Sequence, residues 1–166
     1  MLAQPAPKAR SLAPYVPSPE HIVHKMLEAA RVKPNEVVYD LGSGDGRVLV
    51  IAARKFGARA VGVEISPRMV QAANENLRKN GVQEQARVIE GDLLETDLRE
   101  ADVITLYLLT SSNELLRPIL EKQLKAGARV VSHDFEVRGW KPNRVEKVGA
   151  YNRMHPIYVY EMPPRK

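Results

Sequence analysis

The sequence predicts an α/β fold, a Rossmann-like three-layer sandwich with a mostly parallel seven-stranded sheet and an antiparallel C-terminal hairpin. Short apolar runs recur along the chain, with continuous rather than alternating hydrophobicity, and segments of helical periodicity separate them. This pattern is typical of parallel strands that are covered on both faces. The last two strand-like segments have no helix between them, so we expect them to pair antiparallel at one edge of the sheet.

The first helix and the first strand are expected over residues 19–31 and 36–41. Ser18 is a suitable N-cap, and Pro19 suits the first helical position. Residues that recur at helical spacing form one apolar face, which consists of Ile22, Met26, Leu27 and Ala30.

The next elements alternate in the same way. Helices are expected over 46–56, 66–80 and 113–124, and strands over 60–63, 87–90, 102–108 and 128–132. Gly57 and Gly81 follow two of these helices as C-terminal stops. Pro118 either kinks the last helix or delays its start. The closing strands are expected over 144–148 and 157–162.

Length and composition place the chain among soluble globular proteins. Its 166 residues predict one domain over 15–166, preceded by a flexible N-terminal tail over 1–14 that is rich in alanine and proline. No apolar run approaches the roughly 20 residues of a membrane helix, and no secretion signal is visible. We therefore expect a cytoplasmic protein with no membrane association. Its compactness favours a monomer.

Cysteine and charge exclude some functions and leave others open. The absence of cysteine excludes disulfides, thiolate metal sites and a cysteine nucleophile. No histidine has metal-ligand partners at a suitable spacing, so we expect no metal site. The net charge of +5 is compatible with a nucleic acid or another acidic partner. The basic residues form no long run, and a solvated basic surface explains them equally well.

A glycine-rich turn follows the first predicted strand and opens a helix. It reads Asp40-Leu-Gly-Ser-Gly-Asp-Gly46, and this strand–turn–helix context makes the glycines informative. Gly42, Gly44 and Gly46 let the backbone turn tightly and approach a ligand closely. A ligand at this position lies over the carboxyl ends of the strands.

The spacing and the charge of this turn indicate which ligand it binds. A dinucleotide fingerprint has the pattern G-x-G-x-x-G, whereas the third glycine here comes one position early. Asp40 and Asp45 would repel a pyrophosphate. S-adenosylmethionine carries a cationic sulfonium and an amino group but no phosphate. We therefore predict S-adenosylmethionine as the cofactor and S-adenosylhomocysteine as its product.

Two later strand ends complete the expected cofactor site. Glu64 ends the second strand, where a carboxylate can accept hydrogen bonds from the ribose hydroxyls. Asp92 ends the third strand and can accept from the adenine amino group, while the backbone N–H of Leu93 can donate to the ring. Strand-end surface carboxylates are the alternative for both acidic residues.

These residues resemble the seven-strand S-adenosylmethionine-dependent methyltransferases. A narrower resemblance covers nearly the whole chain. The segments 14–19 (PYVPSP), 38–47 (VYDLGSGDGR), 105–110 (TLYLLT) and 129–133 (RVVSH), with Gly139-Trp140, are similar to archaeal broad-specificity protein-lysine methyltransferases. That group is similar to a mitochondrial one that methylates inner-membrane proteins. The mitochondrial members carry a membrane-targeting segment absent here, so we do not carry over their substrates.

The resemblance implies an enzyme that methylates the side-chain amine of lysines in proteins, with broad substrate choice. The segment after the fourth strand lacks the Asn/Asp-Pro-Pro motif that stacks planar amino groups, which agrees with a flexible amine acceptor. An RNA methyltransferase is the alternative, encouraged by the basic charge, but no RNA-binding module is appended. A non-enzymatic cofactor-binding scaffold is a third hypothesis.

Each of several residues near the expected active site has two alternative roles. Tyr107 either lines the methyl-transfer channel, as the catalytic residue, or packs in the core. Tyr15 and Ser18 either fold over the methionine end of the cofactor or only begin the first helix. His133 is either a base or a local hydrogen-bond partner, and Trp140 either packs at the substrate rim or closes the core. Asp134 and Glu136 either guide a cationic lysine or are ordinary surface charges.

Overall fold

The computed structural model describes residues 16–166 and contains one seven-stranded sheet with helices on both faces. The helices are α1 (Glu20–Ala29), α2 (Arg47–Phe56), α3 (Pro67–Lys79) and α4 (Thr110–Gln123), with a single 3-10 turn at Leu93–Glu95. The strands are β1 (Val37–Leu41), β2 (Arg59–Glu64), β3 (Ala86–Glu90), β4 (Val103–Leu106), β5 (Arg129–His133), β6 (Arg144–Ala150) and β7 (Arg153–Glu161).

The strand order β3-β2-β1-β4-β5-β7-β6 confirms the predicted fold class. The first five strands in this order pair in parallel. β7 pairs antiparallel with both β5 and β6, which confirms the predicted C-terminal hairpin at one edge. Strand order reverses between β1 and β4, and a ligand crevice is expected at the carboxyl ends of the strands at this point.

The core lies on both faces of the sheet, which explains the continuous apolar runs. Val38 of β1 packs in the cluster that contains α1 and α2, whereas its neighbour Tyr39 packs in the cluster that contains α4. Val131 and Val130 of β5 divide between the same two clusters. Successive side chains of a strand point to opposite faces, so a strand covered on both faces is apolar at most of its positions.

Several local predictions differ from the structure. β7 begins at Arg153, four residues earlier than predicted. Pro19, not Ser18, is the N-cap of α1, and no side chain caps this helix. β4 ends at Leu106, so Tyr107 lies in the loop after the strand. Helix α4 begins at Thr110, earlier than predicted, and keeps Pro118 in its interior. Its N-terminal turn is closed by the Asn113 N–H, which donates to the Leu109 carbonyl at 3.0 Å.

The predicted tail over 1–14, together with Tyr15, lies outside the described residues. Within residues 16–166, every helix is too short or too polar to cross a membrane.

A substitution of Gly62, in the middle of β2, tests how tightly the glycine turn packs on the sheet. A Cβ atom at this position would lie 2.5 Å from Ser43 Oγ and 2.8 Å from Leu49 Cδ1. We expect Gly62→Ala to lower the free energy of unfolding by about 1–3 kcal/mol, as overpacking does. Urea denaturation measures this change.

Gly149→Ala is the matched control, because its Cβ would meet only Met154 Sδ at 3.6 Å, an ordinary contact. We expect this exposed substitution to change the stability by no more than about 0.5 kcal/mol. Equal stability of the two variants would contradict the packing argument.

Candidate active site

A cleft opens at the carboxyl ends of β1, β2 and β4, beside the point where strand order reverses. The cleft brings together most residues of the predicted cofactor site and Tyr107. The predicted residues that line it are Ser18, Asp40, Gly42, Gly44, Glu64, Asp92, Leu93 and Tyr107. Gly46 is not among its lining residues, and Tyr15 is not described.

The glycine turn has the backbone conformation that requires glycine. Gly42, Gly44 and Gly46 have φ values of 82°, 52° and 81°, in the left-handed region that other residues rarely adopt. Gly46 has a second reason to be glycine, because an added Cβ would lie 3.2 Å from the Cβ of Ala73 on α3. Gly46 therefore serves helix packing, whereas Gly42 and Gly44 face the cleft.

Glu64 connects the glycine turn with the start of α3. Its Oε1 accepts from the Gly44 N–H at 2.8 Å, and its Oε2 accepts from the Ser66 N–H at 3.0 Å. Ser66 in turn caps α3, since its side chain accepts from the Met69 N–H. Glu64 thus fixes the glycine turn relative to the start of α3.

Asp40 is a buried carboxyl group at the floor of the cleft. It is 6% exposed, and Thr105 Oγ1 donates to its Oδ1 at 2.7 Å. Burial, with the nearby charges of Glu64 and Asp45, raises the pKa of Asp40 to about 7, although the Thr105 hydrogen bond opposes this shift. A cation in the cleft would favour the ionised form of Asp40.

Asp45 does not simply offer its charge to a ligand, as its position in the turn suggested. Arg47 Nη2 donates to Asp45 Oδ2 at 2.8 Å, and the Arg47 Nε donates to Oδ1. Arg47 Nη1 also donates to the carbonyl of Ser18 at 3.0 Å. Arg47 therefore ties the segment before α1 to the glycine turn. The motif contained this arginine, but only the long-range contact identifies its role.

Asp92 and Leu93, which follow β3, form another part of the cleft lining. Asp92 Oδ1 accepts from the Leu94 N–H at 2.8 Å and so caps the short 3-10 turn. Leu93 is buried beside it, with 8% of its surface exposed. Both residues line the cleft, and their contacts with adenine remain a prediction.

Tyr107 lies at the other end of the cleft, on the loop that follows β4. Its ring stacks on His133 with the ring centres 4.0 Å apart, and its hydroxyl lies 3.5 Å from Asp134 Oδ2. Burial, together with the charge of Asp134, raises the pKa of Tyr107. The tyrosine therefore keeps its proton, and its neutral hydroxyl lies beside Asp134.

Behind Tyr107 lies a polar cluster that sequence reasoning did not assemble. Arg153 Nη1 and Nη2 donate to Asp134 Oδ1 and Oδ2 at 3.2 and 2.7 Å. His133 and His155 lie beside this ion pair, and both are buried. Asp134 has a φ of 65°, a conformation unusual for aspartate, held in part by its N–H, which donates to the Pro156 carbonyl.

Within residues 16–166, His133, Asp134 and His155 are also the group whose ligand atoms converge, within 4.8 Å of one another, as a metal site requires. The expectation of no metal site rested on sequence spacing, which did not include His155. Two other candidates lie elsewhere. Trp140 closes the core, where its Nε1–H donates to Glu121 at 2.6 Å, and Glu136 is exposed beside Arg138.

The donors and acceptors of the cleft fit a cationic ligand without phosphate. Carboxylates of Asp40, Glu64 and Asp92 reach the cleft from the ends of β1, β2 and β3. Ionised carboxylates only accept hydrogen bonds, so they suit ammonium, sulfonium and ribose hydroxyl groups and repel a pyrophosphate. The glycine turn leaves room for such a ligand above the sheet.

The chain is similar in sequence to known methyltransferases. Residues 40–144 match the family described as the ANTKMT methyltransferase domain. A protein-lysine N-methyltransferase of Saccharolobus islandicus is 49% identical, over 92% of this chain and 96% of that protein. The adenine nucleotide translocase lysine N-methyltransferase of Mus musculus is 35% identical, over 86% of this chain and 64% of that protein.

A solved structure is similarly close. It is described as an RNA methyltransferase from Salinibacter ruber in complex with S-adenosyl-L-homocysteine. It is 47% identical in sequence, with a TM-score of 0.84, and the match covers 89% of this chain and 94% of that chain.

The buried Asp40 predicts a pH-dependent stability in the protein without ligand. Its pKa of about 7 in the folded chain lies above the value of 3.8 expected when it is exposed. Its contribution to stability is therefore present below pH 3.8 and is lost as the pH rises through about 7. We expect Asp40→Asn to raise the stability by about 1–3 kcal/mol near pH 8 and by less near pH 5.

Thermal melting over this pH range measures the effect. Glu84→Gln, which removes an exposed carboxylate from the loop before β3, is the control and should keep the pH slope of the wild type. A slope unchanged by Asp40→Asn would contradict the argument.

Proposed function

The chain belongs to the family of the ANTKMT methyltransferase domain, and we propose that it methylates lysines of several different proteins at a site beside Tyr107. It is an S-adenosylmethionine-dependent protein-lysine N-methyltransferase. The observation that carries this conclusion is the 49% identity, over nearly the whole of both chains, with the lysine methyltransferase of Saccharolobus islandicus. The acidic, phosphate-excluding cleft agrees with it.

When bound, S-adenosylmethionine would supply an electrophilic methyl group. A neutral lysine amine would form an N–CH3 bond as the C–S bond breaks, which leaves S-adenosylhomocysteine and a proton. In our proposal, Glu64 accepts from the ribose hydroxyls, and Asp92 with the Leu93 N–H binds the adenine. Asp40 lies under the cationic end, and Gly42 and Gly44 allow close approach. Ser18 and Tyr15 hold the methionine end.

The acceptor amine is proposed to enter beside Tyr107. A free lysine has a pKa near 10.4, so it must lose a proton before it can attack. The neutral Tyr107 hydroxyl can contact the amine, and the loss of water from the amine on entry favours its uncharged form. Asp134, 3.5 Å from that hydroxyl, carries a negative charge that attracts the arriving ammonium. Tyr107 therefore orients the acceptor rather than acting as a strong base.

The broad substrate choice, the cytoplasmic location and the monomeric state are further parts of the proposal. So is the organisation as one methyltransferase domain over 15–166. Short connections between the described elements leave the cleft open, and an open cleft admits lysines on differently shaped proteins. Strong preference for one protein among several tested would count against broad choice. Sedimentation analysis tests the monomer.

RNA methylation is the second candidate, because the structure from Salinibacter ruber is described as an RNA methyltransferase. The segment after β4 favours lysine. It reads Leu106-Tyr-Leu-Leu109 and lacks the Pro-Pro turn that stacks planar amino groups. Labelled cofactor with lysine-rich proteins and with total RNA, each treated with protease or nuclease, separates the two functions. Label that follows only RNA would overturn the lysine proposal.

Tyr107→Phe is expected to lower kcat for lysine methylation by about tenfold, because the ring still stacks on His133 but the hydroxyl is lost. The affinity for S-adenosylhomocysteine should stay within about twofold, since the ring that lines the cleft is kept. Methylation assays with calorimetric binding measure both. Tyr158→Phe, on β7, is the control and should keep kcat. Unchanged kcat in Tyr107→Phe would remove the hydroxyl from the proposed mechanism.

Glu64→Ala is expected to weaken binding of S-adenosylhomocysteine by about 10–100-fold, because it removes a charged acceptor and leaves two backbone N–H groups without it. Glu90→Ala is the matched control. Glu90 is the register partner of Glu64 at the end of β3, but it is exposed. Calorimetry on both variants tests this prediction, and equal affinities would contradict the assigned role of Glu64.

A further inference from the structure

The turn that joins β6 and β7 contains a tyrosine in a conformation that tyrosine rarely adopts. Ala150 pairs with Arg153, so Tyr151 and Asn152 form a two-residue turn. Their φ values are 49° and 64°, both in the left-handed region, as a type I′ hairpin turn requires. Asparagine and glycine suit such turns, whereas a bulky side chain with a positive φ is strained. Asn152 follows this rule, and Tyr151 departs from it.

The fold gains little from the Tyr151 side chain. The residue is 80% exposed, more than any other large hydrophobic residue at the surface of residues 16–166. Within that range its hydroxyl has no hydrogen-bond partner, and its ring stacks on no other aromatic ring. Strained backbone positions cluster at binding sites and active sites, so a tyrosine in this position indicates a contact with a ligand.

The turn lies on the side of the cleft where the acceptor amine is proposed to enter. Arg153, directly after the turn, donates to both carboxylate oxygens of Asp134, at 3.2 and 2.7 Å. Asp134 Oδ2 lies 3.5 Å from the Tyr107 hydroxyl. Burial and the charge of Asp134 raise the pKa of Tyr107, with a smaller contribution from the nearby Tyr151. The turn is therefore tied to the carboxylate beside Tyr107.

Two exposed aliphatic side chains lie near the same cleft. Val16 lines it and is 54% exposed, and Leu109 lies two residues after Tyr107 and is 44% exposed. Single apolar residues at a surface are ordinary, but these two and Tyr151 lie near one acidic site. Apolar contacts beside the Asp134 carboxylate suit the backbone and aliphatic parts of a polypeptide that carries a cationic lysine. Nucleic-acid phosphates are bound mainly by cations.

A lysine in a protein arrives on a polypeptide chain, and the chain on either side of it must lie against the enzyme. Tyrosine provides a large, rigid contact area at a low cost in side-chain entropy, and its hydroxyl can bond a backbone group. We propose that Tyr151 binds the polypeptide segment that flanks the acceptor lysine, by packing its ring on that segment. Contact with a backbone is independent of sequence, so this docking is compatible with broad substrate choice. The inference rests on the proposed function and names the residue that binds the protein part of the substrate.

Tyr151→Asn removes the strain and the ring together, and so separates docking from folding. The turn receives a residue that it favours, so we expect the midpoint of thermal unfolding to rise by about 2–4 °C. We expect the KM for an unstructured synthetic peptide with one central lysine to rise about tenfold. The kcat and the affinity for S-adenosylhomocysteine should stay within about twofold. A purely structural role for Tyr151 would instead lower stability and activity together.

Two variants are the controls. Arg31→Asn changes a second exposed residue in the left-handed region, with a φ of 54°, after α1 and before β1, away from the cleft. It should raise the thermal midpoint in the same way and leave KM unchanged. Tyr151→Phe keeps the ring and should raise KM by no more than about threefold.

A wild-type KM in Tyr151→Asn, or a thermal midpoint lower than that of the wild type, would overturn the inference. A loss of methylation confined to RNA would also overturn it, as would a dimer in sedimentation that the substitution dissociates. In those cases the tyrosine binds RNA or a second copy of the chain. Failure of the proposed function is a different result: the wild type would then methylate no lysine at all. Failure of the docking role leaves wild-type methylation of the peptide intact.

Discussion

The bridge that Glu64 makes between two backbone amides is the constraint on which the cleft depends. One carboxylate at the end of β2 accepts from Gly44 in the glycine turn and from Ser66 at the start of α3. The Gly42 N–H adds a bond to the Val63 carbonyl at 2.8 Å, beside the same strand end. These bonds hold the left-handed glycines in place. Burial and the neighbouring carboxylates of Glu64 and Asp45 disfavour ionisation of Asp40, and a cation bound in the cleft would oppose these effects.

The acceptor side depends on a different constraint, the antiparallel pairing of β7 with β5. This pairing places His133 opposite Ile157 and brings the start of β7, with Arg153 and His155, beside the end of β5. Asp134 adopts a left-handed conformation there, and both of its oxygens are bound by Arg153. The hairpin thus does more than close the sheet edge. It supplies Arg153, the cation that keeps the Asp134 carboxylate ionised beside Tyr107.

Features that depend on neighbouring residues could be predicted from the sequence, whereas features that depend on contacts between distant segments could not. The strand–glycine–helix unit is local, and its glycine positions, Glu64 and the parallel sheet could be predicted from spacing and periodicity alone. Ser18 was assigned as an N-cap because its sequence neighbours allow that role. Its hydroxyl instead bonds His133, which is 115 residues away. His155 could not be found from spacing, because its contacts with His133 and Asp134 exist only once β5 and β7 pair in the observed register.

In the proposed mechanism, the cleft needs no separate strong base. A lysine that enters beside Tyr107 would leave water, so desolvation would favour its neutral form, while Asp134 would attract the cation before that step. Such a carboxylate would be a poor proton acceptor, because Arg153 and the histidines lower its pKa. In the proposed mechanism, the Asp134 carboxylate attracts and orients the lysine. A planar base of RNA gains little from that charge, since its amino group is uncharged before transfer. The Asp134 carboxylate behind Tyr107 would therefore favour an amine that arrives as a cation over an uncharged amino group.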